Sequence, residues 1–452
     1  MLLRFSVSNF KSFKDTQIFS MVAGKYTKHK NHIIEINNKR LLKGSFIFGA
    51  NAAGKSNFIE AVEFSQHLVT RGLNSISLIN KHFRIENAYV NKPGVFQFDI
   101  YANGHFYSYG FAISYITATV EEEWLYLCDS DEIAIFERSI ENGKTVVDSN
   151  YNFSDETQQS FKIFSENVPD NKMLLLEISE RKLIENKDFF AFRDVMQWFK
   201  AIIIITPESK VNNTIKLYSD NTDEYNLSKL LSEFDTGIED ISLGEEKVEE
   251  ALDFLPDKIK REIIQKIEKK LLLEDSLKKD KPTEIQIEAG GNYYRISIKN
   301  NQLFANLLMM DHGNSEDLFE ISDESDGTKR LFDILPVYNA GKVPCLILID
   351  ELDRSFHTRL IVKFIRDFYE KTSGVESQLI ASVHDSNVMD LELLRQDEIW
   401  FVERQSDHSS HMYSLNKFKE RYDKKVAKDY LLGRYGAIPC FFQSDTTEEG
   451  KV

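Results

Sequence analysis

Cysteine is nearly absent. The three present, Cys128, Cys345 and Cys440, form no C-x-x-C pair and no metal-ligand spacing. This excludes a disulfide framework and a thiolate zinc site, and so sparse and odd a count suits a reducing compartment. Cys345 lies in the apolar run Val343-Pro344-Cys345-Leu346-Ile347-Leu348-Ile349 and reads as a packing residue. Proline is scarce, at 8 residues, which argues against long disordered linkers. No apolar run reaches the length a membrane-spanning helix needs. The N-terminus, Met1 to Phe10, alternates like a strand and lacks the apolar core of a signal peptide. The expected location is the cytoplasm, with no membrane contact. Positive charge is outnumbered: the net charge is −16, against the broad basic surface of a general nucleic-acid coat. A local basic groove is not excluded. Internal repeats and low-complexity tracts are missing too. What remains is an ordinary globular composition, 42% hydrophobic and 28% charged, in 452 residues, enough for two or three domains' worth of core.

What is present begins with Gly49-Ala50-Asn51-Ala52-Ala53-Gly54-Lys55-Ser56, a G-x-x-x-x-G-K-[ST] phosphate loop. Ser45-Phe46-Ile47-Phe48 before it reads as a strand, and Asn57 to Phe64 after it as a helix. The glycines let backbone N–H groups curl around phosphate oxygens, and the helix N-terminus adds partial positive charge. Lys55 is expected on the β- and γ-phosphates and Ser56 on Mg²⁺. Gly49, Asn51, Gly54 and Asn57 complete the expected ATP contacts.

Along the chain, residues 1 to about 20 alternate as a half-buried strand pair does. Residues 95–127 read as an antiparallel meander, with a hairpin turn at Asn103-Gly104 between two aromatic runs. The pattern is helical over 178–200, and Ala201 to Thr206 is a short buried strand. Residues 246–282 are charged and helix-forming. Lys258 to Lys281 within them reads first as a solvated helix face, and otherwise as a binding surface. Strand character returns over 284–306. The expected domains are an N-terminal half of the head over 1–150, an inserted helical or mixed lobe over 151–310, and a C-terminal half over 311–452.

Leu346-Ile347-Leu348-Ile349-Asp350-Glu351 is a buried strand that delivers two acids at its end, the Walker B pattern. Asp350 is the expected Mg²⁺ ligand and Glu351 the base that polarises the attacking water. An Asp-Glu pair fits an ATPase with a carboxylate base better than a GTPase-like switch. Glu324-Ser325-Asp326-Gly327-Thr328-Lys329-Arg330 precedes an amphipathic helix, Leu331 to Tyr338. It reads as a capped helix, or as an N-terminus aimed at a γ-phosphate on another subunit. Gln378 to Asp385 is a strand that ends in His384, where a γ-phosphate sensor would sit.

In order and content these motifs resemble the ABC-class ATPases of the RecF/SMC/OLD type. Phe5 to Phe13 looks like their first strand, and Leu352 to His357 stands where they carry a dimer-contacting loop. Leu42–Asn51, Glu324–Leu331, Asp397–Glu403 and Gly433–Pro439 are similar to the RloA/AbiL-type phage-defence ATPases, to which the PARIS system is related. The resemblance covers nearly the whole chain and is weakest between about 130 and 310. It implies an α/β fold: an ABC-type P-loop head, a mixed sheet with an antiparallel meander, interrupted by an inserted mainly helical region. It implies ATP and Mg²⁺ as cofactors, with Ser325, Gly327 and Asp353 among the nucleotide contacts and Lys55, Glu351 and His384 in catalysis. It also implies a homodimer or higher homo-oligomer, a Toprim-type nuclease effector encoded nearby, and a role in stopping infection. Ser325-Asp326-Gly327-Thr328 departs from the L-S-G-G-Q of transporters, and Asp326 would add an acid near phosphate. No Q-loop glutamine is placed: Gln97 lies mid-strand, and Glu122 or Glu123 would be a substitute. No heptad stretch long enough for an SMC arm occurs, and the nuclease domain of OLD proteins has no room. Two rivals share the motifs: a RecF-like ATPase that binds DNA through Lys258–Lys281, and an ATP-bound scaffold with negligible turnover.

Overall fold

Alternation at the N-terminus produces a strand, Leu2–Ser8, that pairs antiparallel with Gln17–Ser20 on one side and Gly94–Ala102 on the other. The computed structural model describes residues 1–207, 227–275, 284–299, 302–314, 316–334, 337, 343–418, 420 and 425–438. They divide into two compact units. The first comprises Met1–Pro207, Val337–Asp353 and His357–Val452, and the second Glu208–Pro336 with Arg354–Phe356. Among the described residues, no helix is long and apolar enough to cross a membrane.

The first unit holds two large sheets. One is the expected meander extended to seven antiparallel strands, with Thr119–Cys128, Glu132–Glu141 and Lys144–Asp148 beyond the Asn103-Gly104 hairpin. Asn103 (φ 48°) and Gly104 (φ 95°) both take the left-handed conformation that a two-residue hairpin turn demands. The other sheet runs, in spatial order, Ile202–Ile205, Leu346–Ile349, Gln378–Ser382, Gly44–Phe48, Ile399–Arg404, Ser410–Ser414. Its first five strands are parallel and the last is antiparallel. The strands Leu346–Ile349 and Gln378–Ser382 are wholly buried, as parallel strands covered on both faces are. All five parallel strands end at one edge, which is where open α/β sheets place their ligands.

The helix Lys55–Arg71 buries Phe58, Ile59, Val62, Phe64, Leu68 and Val69. One core joins it to Phe5, Phe96 and Phe98 of the antiparallel sheet and to Ile47, Leu346, Leu348 and Ile380 of the parallel one. The Phe5 ring lies 4.5 Å from that of Phe98 and 5.6 Å from that of Phe58. Helices Leu174–Ser179 and Phe190–Lys200 join the same core through Leu174, Ile178, Phe192 and Val195. The first unit therefore continues to Pro207. The reason is that Ile202–Ile205 is an edge strand of the parallel sheet, and the helix before it buries Phe192, Val195 and Phe199 in the core shared with Lys55–Arg71.

The second unit is mixed. Strands Asp240–Lys247, Gln302–Asp311, Asn292–Lys299 and Glu284–Ala289 form an antiparallel sheet, with Phe319–Glu320 paired to Gln302–Asp311. Its core takes Val248 and Leu252, and Ile267 and Leu271 from the helix Asp257–Asp275. That helix contains the first part of the Lys258–Lys281 stretch, and residues 276–283 lie outside the described residues.

Candidate active site

The phosphate loop departs from the carboxyl end of Gly44–Phe48. A Cβ at Gly49 would lie 2.3 Å from the Val402 carbonyl oxygen. At Gly54, with φ +116°, it would lie 2.3 Å from Ser410 Oγ and 2.8 Å from Ser12 Oγ. Only glycine meets both demands, of space and of backbone. Ala52 is also left-handed, at φ 60°. Successive turns of opposite hand point N–H groups inward, which makes an anion-binding concavity. Lys55 is buried, and its Nζ donates to the carbonyls of Gly49 (2.8 Å) and Ala50 (3.2 Å). Burial pushes its ammonium below the ordinary lysine range, and the carboxylates of Asp350, Asp353 and Glu351 pull it back up.

Two serines that the sequence reading passed over brace the loop. Asn57 Nδ2 donates to Ser12 Oγ (2.7 Å). Ser12 lies 2.7 Å from Ser410 Oγ, which donates to the Ala53 carbonyl (2.5 Å). Asn57, expected on ATP, thus also supports the loop through its side chain. Asn51 and Ser56 are exposed.

The two acids after Leu346–Ile349 diverge. Asp350 is buried and accepts from Ser382 Oγ at 2.5 Å. Glu351 adopts φ +52°, a left-handed conformation that non-glycine residues rarely take and that marks functional sites. Its N–H donates to the same Ser382 Oγ (2.8 Å). One hydroxyl on the neighbouring strand therefore orients both acids. Glu351 Oε1 lies 3.9 Å from His384 Nε2. Asp353 Oδ2 accepts from the backbone N–H groups of His384 (2.8 Å) and Asp385 (2.7 Å). Its Oδ1 is buried and has no hydrogen-bond partner among the described residues. Lys55, Asp350, Glu351, Asp353 and His384 thus meet at one sheet edge.

Ser325 and Gly327 belong to the second unit. Ser325 Oγ caps the helix Asp326–Ile334 by accepting from the Thr328 N–H (3.1 Å). A Cβ on Gly327 would lie 3.1 Å from the Ser355 carbonyl oxygen. Tyr338, expected at that helix's end, lies outside the described residues. Glu123 is no Q-loop substitute. It is fully buried and accepts from the N–H groups of Leu174 (2.6 Å) and Leu175 (3.0 Å) and from Tyr109 OH (3.0 Å). Gln97 donates to Asp99 and Ser108 within its own sheet, both at 3.0 Å. Burial raises the Cys128 thiol to about 11 and raises that of Cys345, which fits inert thiols. Cys440 lies outside the described residues.

The donor set fits a polyphosphate with one divalent cation. Lys55 rests on carbonyl oxygens that phosphate oxygens can replace. Among the described residues no three His, Cys, Asp or Glu side chains converge on one point. A cation held chiefly by phosphate oxygens and water needs only one or two protein ligands, and Ser56 and Asp350 are those on offer.

No curated protein matches the chain. Solved structures similar to it include the SMC head domain from Thermotoga maritima, 13% identical, covering 91% of this chain and 98% of that one, with a TM-score of 0.37. Another is the Smc head domain with an extended coiled coil bound to the C-terminal domain of ScpA, from Pyrococcus furiosus. It is 15% identical, covers 95% of this chain and 99% of that one, and has a TM-score of 0.35. The family described as "AAA domain, putative AbiEii toxin, Type IV TA system" matches residues 45–390. With its phosphate loop and paired acids at one edge of a parallel sheet, the chain belongs to that AAA family.

Proposed function

We propose that this protein is an ABC-class ATPase that closes as a homodimer around two ATP molecules and so controls a partner effector. The observation that carries the reading is the meeting of buried Lys55, buried Asp350 and the Glu351–His384 pair at the carboxyl edge of one parallel sheet. Lys55 and the loop N–H groups hold the β- and γ-phosphates. Glu351 takes a proton from the water that attacks the γ-phosphorus, as the bond to the ADP oxygen breaks. His384 steadies the charge that develops on the transferred group. Ser56 and Asp350 would hold Mg²⁺, which would supply neutralisation of phosphate charge. Ser325, Gly327 and the N-terminus of Asp326–Ile334 from a second copy complete the site.

The effector we propose is a Toprim-type nuclease encoded nearby, and the setting anti-phage defence in the cytoplasm. A family description that names a toxin–antitoxin system supports a growth-arrest role of this kind. Two measurements test the ATPase reading. Calorimetry with Mg-ATP should show binding that Lys55→Ala abolishes, and turnover per subunit should rise with protein concentration. Turnover independent of concentration would remove the dimer, and ATP binding untouched by Lys55→Ala would remove the site.

Ser382→Ala offers a finer check. It strips Asp350 and the Glu351 N–H of their shared partner. Loss of these bonds costs about 1–3 kcal/mol. Turnover is expected to fall about tenfold, with a smaller change in ATP affinity. A loss of affinity with turnover at saturating ATP unchanged would mean that Ser382 acts on binding alone.

A further inference from the structure

In the dimer reading, the N-terminus of Asp326–Ile334 meets a second copy's nucleotide. A contact outside the motif holds that N-terminus in place. His312 follows the strand Gln302–Asp311 and presents both ring nitrogens to acceptors. Nδ1 lies 3.1 Å from the Gly237 carbonyl oxygen, and Nε2 lies 2.7 Å from Glu324 Oε1. A carbonyl oxygen only accepts, so Nδ1 carries a hydrogen. The ring thus bridges a backbone carbonyl and the Glu324 carboxyl through its two nitrogens. The Phe319 ring packs edge-on against His312, with centroids 5.0 Å apart, and Glu324 is 9% exposed. A hydrogen bond shielded in this way holds its partners more firmly than one open to water.

Glu324 immediately precedes Ser325, the helix cap. Two further ties fasten the same segment. Asn292 Oδ1 accepts from the Ser322 N–H (2.9 Å), and Lys329 Nζ donates to the Ser322 carbonyl (2.8 Å). Asn292 and His312 both stem from the antiparallel sheet of the second unit. The Glu324–Arg330 segment is thus tied to that sheet from its N-terminal side, through Glu324 itself and through Ser322 just before it, while Lys329 ties back to the same Ser322.

We propose that His312 is a positioning residue: its hydrogen bond to Glu324 holds the Glu324–Arg330 segment in the orientation that closes on a second copy's nucleotide. This rests on the dimer reading above. His312 touches no substrate and acts through Glu324 and Ser325.

The test uses the full-length Glu351→Gln protein, in which ATP-bound dimers accumulate, and sedimentation velocity with Mg-ATP. Adding His312→Ala should weaken ATP-dependent dimerisation by about tenfold or more. ATP affinity, measured in dilute monomer, should stay within about twofold of the parent, because no contact to the phosphate loop is lost. His312→Gln keeps an N–H donor and should restore part of the dimerisation. Glu324→Gln should weaken it as His312→Ala does, and the double variant should be no worse than either single one, as for two residues acting as a unit. Dimerisation of His312→Ala at the parent's strength would overturn the proposal, as would fully additive losses in the double variant. If His312→Ala does not fold, His312→Gln and Glu324→Gln decide, and parent-like dimers in both overturn it. Failure of the His312-containing protein to dimerise with ATP would instead overturn the dimer reading, and this proposal with it.

Discussion

Exchanging Glu351 for glutamine is expected to lower steady-state ATP turnover by about 10²-fold or more while ATP binding persists. Glutamine has nearly the shape of glutamate and cannot accept the water's proton. The fold should survive the change, because what holds the backbone at φ +52° is the N–H bond to Ser382, which involves no side-chain carboxylate. The His384 ring, 3.9 Å from Glu351 in the parent, keeps a polar neighbour. With hydrolysis blocked, the ATP-bound dimer should accumulate, and phosphate release with sedimentation velocity would show both effects. A Glu351→Gln protein that turns over at the parent rate would dismiss Glu351 as the base.

The second large effect concerns stability. Arg138 and Glu123 are fully buried side chains 3.6 Å apart. Glu123 caps the helix Leu174–Ser179, while Arg138 donates to the carbonyls of Lys172 (2.6 Å) and Pro169 (3.1 Å). The pair therefore pins the segment before that helix from both sides. Arg138→Ala leaves a buried carboxylate without its counter-charge, and breaking such a pair costs about 3–5 kcal/mol. The cost should depend on pH. Burial already raises the Glu123 carboxyl above the ordinary carboxylate range, and Arg138 is the largest influence opposing that rise. Without Arg138 the group holds its proton more tightly still when folded. The folded state then binds more protons than the unfolded one above the ordinary carboxylate range, so stability falls as pH rises through that window. Arg138→Ala should thus be least damaging near pH 5 and most damaging near pH 8, read by denaturant unfolding across that range. A pH-independent penalty would show that lost packing, rather than the orphaned charge, sets the cost.

The local parts of this molecule were legible because local rules make them. The spacing of Gly49 and Gly54 states what a phosphate loop needs, and Asn103-Gly104 states a hairpin. The apolar run before Asp350 announces a buried strand. Residues whose role depends on a distant partner were not legible. Ser12 and Ser410, 398 positions apart, touch only because the first strand's loop and the last sheet strand meet at the phosphate loop. Ser382 reads as any strand serine until its strand lies beside Leu346–Ile349. Glu123 reads only as a possible Q-loop substitute until a helix N-terminus settles on it.

The sequence by itself therefore determined that a phosphate-loop motif exists between a strand and a helix, that an apolar strand ends in two acids, and that the chain alternates strands and helices around them. Those properties follow from turn geometry, hydrophobic period and side-chain chemistry, all of which act over a few residues. The tertiary structure alone decided the strand order that brings Lys55, Asp350, Glu351 and His384 to one edge. It decided that residues 151–207 pack with the first unit, and that His312 meets Glu324 beside the helix cap. These are outcomes of long-range burial, which selects one arrangement among many that the local pattern permits.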